Sequence, residues 1–297
     1  MSTKLRLLIR THYIDPRIDF LYEKWSGVLP GRVGLLLDET NQTIDTNYQK
    51  VSFNLNKLSE DGLPAKPEGK AAWYCGDYTM AAVASTMEDD EFCYVVENDV
   101  VPSVQDPAAW KAKLEEMSKH ELVVANYKTR GRRWKWRQNL EKIYGNEDIY
   151  GALIIFLGFS KATAEFMTKR RVEISNSGVD QWPHCEAFVG TEAALAGLDV
   201  GDVFNYFPQL SETFSTSRPY MFFDVANHDM GNTMYHPAVD RQKYLVKMRT
   251  MIANKVPGPM LGQYLDALGP LDEAERKTLD SFSKRRRGVA GLADLLE

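Results

Sequence analysis

The stretch from residue 92 to residue 99 reads Phe-Cys-Tyr-Val-Val-Glu-Asn-Asp and decides the fold class. Its first half is an unbroken apolar run with two adjacent valines, which is typical of a short buried strand. The run turns acidic at Glu97 and Asp99, and residues two positions apart point to the same side of an extended chain. In open α/β sheets, ligands bind beyond the carboxyl ends of the strands. The stretch therefore predicts an α/β sheet with a ligand site at the end of this strand.

Short apolar runs alternate with helical patterns on both sides of this stretch, and that alternation is the signature of an α/β sheet. Strands are predicted from Lys4 to Arg10 and from Arg32 to Leu37, with a helix that begins at Asp15-Pro16 between them. A polar loop is expected to continue to Gly69. The remaining predicted elements are helices from Gly76 to Met87 and from Pro107 to His120, strands from Leu122 to Ala125 and from Tyr150 to Leu157, and a helix capped by Ser160. We expect a mainly parallel, twisted sheet flanked by helices over residues 1–237, followed by a helical C-terminal region over residues 238–297.

Composition and charge exclude several classes of protein. The chain has 297 residues, of which 44% are hydrophobic and 26% charged, and its formal net charge is −5. These proportions are those of a folded globular protein, and an acidic chain is not expected to bind nucleic acid. No apolar run approaches the ~18 residues of a membrane span, and no signal-peptide core is present. The three cysteines lie far apart without C-x-x-C spacing, so we expect a cytoplasmic protein without a transmembrane segment.

Common catalytic motifs are absent, and acidic residues at strand ends remain. The sequence contains no dinucleotide-binding glycine motif, P-loop, nucleophile elbow or H-E-x-x-H pair. Carboxylates at Glu97 and Asp99 are hard oxygen donors that suit Mg²⁺ or Mn²⁺, and Mg²⁺ often bridges to substrate phosphates. The same residues would also suit an ordinary turn ahead of Pro102.

The order of these motifs resembles the GT-A class of nucleotide-sugar glycosyltransferases. The resemblance covers about Lys4 to His236, and its hallmark is an acid-x-acid motif at a strand end, here Glu97-Asn98-Asp99. It implies that Asp99 binds a divalent metal ion, Mn²⁺ or Mg²⁺, and that Glu97 binds the ribose or a metal-bound water. Members of the class usually have aspartate where this chain has Glu97. A late histidine often completes the metal site, and His236 in Tyr-His-Pro is the candidate here, although His236 would equally suit the residue before a helix that begins at Pro237.

The resemblance also places a nucleotide at the ends of the first two strands. Arg10, Thr11 and Asp38 fall where the class holds the nucleotide, and Arg10 would pair either with phosphate or with a neighbouring carboxylate. Asp77 would face the donor sugar hydroxyls or the base, or else cap the helix that follows it.

The second half of the chain is expected to bind the acceptor. Residues 182–188 read Trp-Pro-His-Cys-Glu-Ala-Phe, and aromatic faces of this kind stack on sugar rings. Glu186 is the candidate general base that an inverting transfer requires, with Asp180 in reserve. In a retaining enzyme Glu186 would only hold a hydroxyl, and the stretch is also typical of a helix N-terminus, where an acidic residue is favourable.

Two basic stretches remain. Residues 127–137 carry six lysines and arginines with Trp134 and Trp136 between them. Such a loop would close over phosphates, form a solvated surface, or bind single-stranded nucleic acid. The second stretch, at residues 284–287, would make a peripheral contact with an anionic membrane surface that carries a lipid-linked acceptor, or form a solvated turn.

The sequence thus predicts a metal-dependent glycosyltransferase that moves a sugar from a nucleotide-sugar donor to a hydroxyl of a glycan or lipid-linked acceptor. Two alternatives stay open. A metal-dependent phosphoesterase would use the same acidic strand ends but normally shows more ligands. A non-catalytic nucleotide- or sugar-binding module would use the same fold.

Overall fold

The computed structural model describes residues 3–145, 148–179, 181–215, 218–226, 231–253, 264 and 267–284. The strands are β1 (Lys4–Thr11), β2 (Val33–Asp38), β3 (Lys50–Phe53), β4 (Glu91–Glu97), β5 (Val101–Ser103), β6 (Leu122–Thr129), β7 (Tyr150–Ser160), β8 (Val200–Asp202), β9 (Tyr220–Met221), β10 (Thr233–Tyr235) and β11 (Ala238–Val239). The helices are α1 (Pro16–Val28), α2 (Leu55–Glu60), α3 (Ala71–Tyr74), α4 (Tyr78–Ala84), α5 (Pro107–Met117), α6 (Gln138–Tyr144), α7 (Lys161–Asn176), α8 (Cys185–Ala196), α9 (Val203–Tyr206), α10 (Leu210–Thr213), α11 (Phe222–Ala226), α12 (Arg241–Ala253) and α13 (Glu273–Lys284).

The main sheet has seven strands in the order β3-β2-β1-β4-β7-β6-β8. Strands β3, β2, β1 and β4 are parallel, and β7 runs antiparallel to both of its neighbours, β4 and β6. Because β7 is reversed between them, β6 runs in the same direction as β4. The carboxyl ends of β1, β2, β4 and β6 therefore meet at one edge. This confirms the α/β fold with a mainly parallel sheet.

Both faces of the sheet are covered, which explains why its strands read as continuous apolar runs. Along β1, Leu7 and Ile9 pack in one hydrophobic core and Leu8 packs in the other, as the alternation of side chains along a strand requires. On the first face, α1 and α5 meet through Trp25 and Trp110, whose rings lie edge to face with centroids 5.3 Å apart. The second face is covered by α4, α7 and α8.

The predicted helix starts are confirmed by their caps. The Asp15 carboxylate accepts hydrogen bonds from the backbone N–H groups of Arg17 and Ile18, at 3.0 and 3.2 Å. The Ser160 hydroxyl accepts from the N–H of Thr163 at 3.2 Å. Each cap satisfies donors that the first turn of a helix leaves unpaired.

Residues 39–69 differ from the expected polar loop because they contain β3 and α2. The edge strand β3 has only four residues, and its alternating burial places Val51 and Phe53 in the core. Farther along the chain, β11 pairs with β9 immediately after Pro237, so α12 is preceded by a strand and not by the expected proline-initiated helix. Within the described residues, no helix combines the length and the apolar character needed to cross a membrane.

Candidate functional site

A cavity of about 910 Å³ opens at the edge where the carboxyl ends of the strands meet. Cavities of this size accommodate drug-sized and larger ligands. Most of the residues that the sequence singled out line it, namely Arg10, Thr11, Asp38, Glu97, Asp99, Glu186 and His236. Residues that lie far apart in the chain thus line one cavity.

Asp99 and His236 line the cavity together, next to the carboxyl end of β4. The Nε2 atom of His236 lies 3.6 Å from Oδ1 of Asp99, which is too long for a hydrogen bond. Burial lowers the pKa of His236 to about 4, so its ring is neutral at pH 7 and keeps a lone pair for a ligand. Burial also raises the pKa of Asp99 to about 6, with Lys247 opposing that shift. At neutral pH, an imidazole and a carboxylate therefore face the same space.

Glu97 does not share this arrangement. Its carboxylate accepts a hydrogen bond from Nη1 of Arg10 at 2.7 Å, and the other terminal nitrogen of Arg10 donates to the Ala72 carbonyl. The pairing follows from the sheet, because Arg10 and Glu97 are direct partners in the register of β1 and β4. Of the two expectations for Arg10, the structure shows the pairing with a neighbouring carboxylate. The described residues contain no group of three acidic, histidine or cysteine side chains that would hold a metal ion, and the prediction that Glu97 is a metal ligand stays a prediction, with its carboxylate paired to Arg10 in this structure.

The donor set that remains still fits a divalent cation. One carboxylate and one neutral imidazole are donors that Mn²⁺ accepts, and such ions commonly complete their coordination with waters and substrate phosphates. With Glu97 paired to Arg10, Asp99 and His236 are the residues that would hold the ion.

Thr11 and Asp38 organise the loops that follow β1 and β2. The Thr11 hydroxyl donates to the carbonyl of Tyr13 at 3.0 Å and accepts from the side-chain amide of Asn98 at 3.1 Å. Asp38 accepts from the backbone N–H of Thr40 at 3.0 Å. Both side chains line the cavity at its β1–β2 end, where the nucleotide was expected.

Asp77 is the clearest departure from the sequence-based expectation. Both of its carboxylate oxygens accept hydrogen bonds from Arg171, at 2.7 and 2.9 Å, and the pair is almost completely buried. Its side chain makes no cap for α4, and it does not line the cavity. Asp77 therefore joins α4 to α7 in the core and does not face a donor sugar or base.

Glu186 lies in the first turn of α8, as the helix-terminus interpretation predicted, and also lines the cavity. Its backbone N–H donates to Nδ1 of His184, the N-cap residue, at 3.3 Å. Burial raises the pKa of Glu186 to about 7, against the opposing influences of Arg130, Lys135 and Trp136. The carboxyl is therefore close to half protonated at neutral pH. The reserve candidate, Asp180, lies outside the described residues.

The basic loop after β6 forms the wall opposite the nucleotide end. Arg130, Trp134, Lys135 and Trp136 all line the cavity. The Trp136 ring stacks on His184, with centroids 3.9 Å apart and planes inclined by 4°.

Among the lining residues that were not singled out as site residues are Lys247, Trp73 and Asn126. Lys247 reaches the cavity from α12. Trp73 stands at its mouth with 58% of its surface exposed. Asn126 has a left-handed backbone with φ of 56°, and the Asp202 carboxylate holds it by accepting the N–H groups of Asn126 and Tyr127 at 2.9 and 2.8 Å. An asparagine directly after the predicted strand Leu122 to Ala125 is a weak signal in the sequence, and Lys247 gave none, because it lies beyond the expected domain boundary.

Comparisons with known proteins found no matching family model and no matching curated protein. The solved structures that the fold resembles include glycosyltransferases, the class that the motif order resembles. Mouse xyloside xylosyltransferase 1 in its apo form is 8% identical with a TM-score of 0.42, over 78% of this chain and 97% of that one. The glycosyltransferase GlyE of Streptococcus pneumoniae is 10% identical with a TM-score of 0.35, over 95% of this chain and 64% of its own length. At such scores the likeness gives no support to an activity, which has to rest on the residues of the cavity.

Proposed function

We propose that this protein transfers a sugar from a nucleotide-sugar donor to an acceptor hydroxyl. The observation that carries the proposal is the order of groups along one edge of the sheet. Polar side chains at β1 and β2 lie at one end, the Asp99–His236 pair lies at β4, and Glu186 lies beyond β7 at the start of α8. Glycosyl transfer needs three groups in this spatial order: residues that bind the nucleotide, residues that stabilise the leaving group, and a residue that accepts the proton of the acceptor hydroxyl.

Asp99 and His236 would hold a divalent cation, Mn²⁺ or Mg²⁺, at the leaving-group end. When bound, such an ion supplies Lewis-acid stabilisation of the departing diphosphate. Lys247 also lines the cavity, and its positive charge opposes the rise that burial causes in the pKa of Asp99, so the two side chains interact electrostatically. Its ammonium group adds a second positive charge to stabilise the diphosphate as the glycosidic bond breaks.

Glu186 would take the proton from the acceptor hydroxyl. A general base works best when its pKa lies near the operating pH, and burial places the pKa of Glu186 at about 7. In the transition state, positive charge develops on the donor sugar as it does in glycoside hydrolysis. By accepting the hydroxyl proton, the Glu186 carboxylate makes the acceptor oxygen more nucleophilic as that charge grows.

Binding of nucleoside diphosphates tests the donor end. We expect one nucleoside diphosphate, in the presence of Mn²⁺, to raise the melting temperature of the full chain. At about one hundred times the dissociation constant the gain is roughly 2.7 kcal/mol, or about 4 °C for a chain of this size. Asp99→Asn should lose this shift, whereas Asp61→Asn, an exposed aspartate on α2's C-terminal side, should keep it. If no nucleotide stabilises the protein with or without metal, the donor site is wrongly assigned.

A turnover assay then separates an enzyme from a binding module. With the nucleotide-sugar whose base is identified above, and with water in place of the acceptor hydroxyl, the wild-type chain should release the nucleoside diphosphate and the free sugar. Glu186→Gln should bind the nucleoside diphosphate as tightly as the wild-type chain does. It should form nucleoside diphosphate from the nucleotide-sugar much more slowly. Equal turnover in the two proteins would remove Glu186 from the proposed role.

A further inference from the structure

We propose that the acceptor is a sugar that bears a phosphate or carboxylate group, which stacks on Trp73 and pairs with Arg130 and Lys135. The inference rests on the proposed function, because it assigns these residues to the acceptor end of the cavity. It adds the chemical class of the acceptor, which neither the fold nor the metal pair specifies.

Sheet topology separates these residues from the donor end. Neighbouring strands lie about 4.8 Å apart, so the end of β6 is about 10 Å from that of β4 and about 19 Å from that of β2. Arg130 and Lys135 belong to the loop that leaves β6, whereas Asp38 follows β2 on the far side of β4. A nucleotide that occupies the β1–β2 end with its diphosphate at Asp99 therefore leaves the β6 side of the cavity to another ligand.

Two cations on that side form no close ion pair, although the Glu186 carboxylate attracts both electrostatically. Arg130 donates from Nη2 to the carbonyls of Asn126 and Gly151, at 3.1 and 3.4 Å, and its buried Nε atom has no hydrogen-bond partner. Within the part of the chain that the structure describes, neither Arg130 nor Lys135 forms a salt bridge within 4 Å, although the protein carries a net negative charge. Arg130 is half-buried, so its charge is partly desolvated, whereas Lys135 is exposed; an anion on the ligand would offset the desolvation of Arg130 and pair with Lys135.

Trp73 supplies an open aromatic face beside these cations. The residue is 58% exposed, and its ring makes T-shaped contacts with the rings of Tyr74, Trp136 and His184, at centroid distances of 6.1, 5.7 and 4.9 Å. The faces of Trp136 are both occupied, by the ring of His184 at 3.9 Å and by the Lys135 ammonium at 4.0 Å from the centroid. Trp73 is thus the platform, and Trp136 is part of its support.

One open ring favours a sugar over single-stranded nucleic acid. Nucleic acid of that kind is held by successive aromatic rings that each stack on a base. Here the tryptophans of the loop are already packed, since Arg130 lies over the Trp134 ring at 5.1 Å. A single ring flanked by cations matches the apolar face and the charged substituent of one anionic sugar.

The test is a binding titration on the full chain that follows tryptophan fluorescence. The probes are the 6-phosphates and the uronates of glucose, galactose and mannose, the corresponding neutral methyl glycosides, inorganic phosphate and an oligothymidylate. We expect at least one anionic sugar to bind about tenfold more tightly than its neutral counterpart and than phosphate alone. The phosphate and carboxylate series show which of the two groups is recognised.

Variants assign the effect to residues. Trp73→Ala should weaken binding of the anionic sugar about tenfold, whereas Lys135→Gln and Arg130→Met should make anionic and neutral sugars bind alike. The matched controls are Leu195→Ala, an exposed apolar residue on α8, and Lys142→Gln, an exposed cation on α6. Stabilisation by the nucleoside diphosphate, measured on the same samples, reports that each variant is folded and that its donor end is intact.

The outcomes separate this inference from the proposed function. If a nucleotide binds but no anionic sugar is preferred, the inference is overturned and glycosyl transfer stands. Tighter binding of the oligothymidylate than of any sugar overturns it in favour of nucleic acid. If anionic sugars bind but no nucleotide does, the site is a sugar-binding module, and both the transfer reaction and the acceptor role are overturned.

Discussion

Replacing Glu186 by glutamine should stabilise the protein at neutral and alkaline pH while it removes the proposed base. Burial raises the pKa of this carboxyl to about 7 from an ordinary value of 4.5. In the unfolded chain the group loses its proton near pH 4.5, whereas in the folded chain it retains the proton up to about pH 7. The folded state therefore binds more protons between these values. Its contribution to stability falls as the pH rises through this window and is constant above it.

The size of the effect follows from the same two values. Each pH unit within the window corresponds to about 1.36 kcal/mol, which gives about 2.5 kcal/mol between pH 5 and pH 8. Solvent reaches the partly exposed side chain, so roughly half of this remains as a lower bound. Glutamine has nearly the same shape and no charge to desolvate. The free energy of unfolding of Glu186→Gln, relative to wild type, should therefore increase by about 1–2.5 kcal/mol from pH 5 to pH 8.

Urea unfolding at the two pH values measures this difference directly. Glu23→Gln is the matched control, because Glu23 is an exposed glutamate on α1 and the variant makes the same chemical change outside the cavity. The turnover of the wild-type chain should rise with pH about a midpoint near 7, to leave about a tenth of the plateau rate at pH 6. If the Glu186→Gln difference is the same at pH 5 and pH 8, the carboxyl titrates as an ordinary glutamate, and the reasoning that makes it a base is refuted.

Two further predictions concern the surroundings of the site. Asp77→Asn should lower the free energy of unfolding by about 3–5 kcal/mol, because it leaves the buried Arg171 guanidinium without a counter-charge; a loss below 1 kcal/mol in urea unfolding would show that water reaches the pair. Gly151→Ala would place a methyl group 2.5 Å from Cη2 of Trp134 and 2.6 Å from Nε of Arg130, so these two side chains must shift. This variant should change the tryptophan emission and weaken sugar binding while the nucleoside diphosphate still stabilises it, and unchanged sugar binding would place the acceptor elsewhere.

The parts of the site that were predictable are those fixed by the ends of strands. The apolar run of β4 and the acid-x-acid motif that follows it are adjacent in the sequence, and the same holds for β2 and Asp38. The direction of a strand determines the edge of the sheet at which its last residue lies. The acidic residues that follow β2 and β4 are therefore placed at the cavity by their own strands. His236 was found through its local Tyr-His-Pro setting, and it lies beside Asp99.

The parts that were missed depend on contacts between distant segments. Asp77 looked like a cap or a ligand because its partner, Arg171, lies 94 positions away on another helix. Lys247 was invisible because the sequence placed a boundary just before α12, whereas β11 pairs with β9 and leads that helix to the cavity. The antiparallel direction of β7 has no local signal either, since a buried strand reads as the same apolar run in both directions.

A glutamate at position 97 has a physical reason in this sheet. Arg10 and Glu97 are register partners on adjacent parallel strands, and Nη1 of Arg10 reaches the carboxylate at 2.7 Å. The longer side chain of glutamate suits that contact across the strands, and the ion pair neutralises the acid that is nearer to β1. Asp99, two residues later, is left as the carboxylate that faces His236, while its backbone carbonyl accepts the N–H of Ala238 at 2.8 Å. The two acids of the motif therefore differ in position: the first joins the ends of two strands, and the second lines the cavity beside His236.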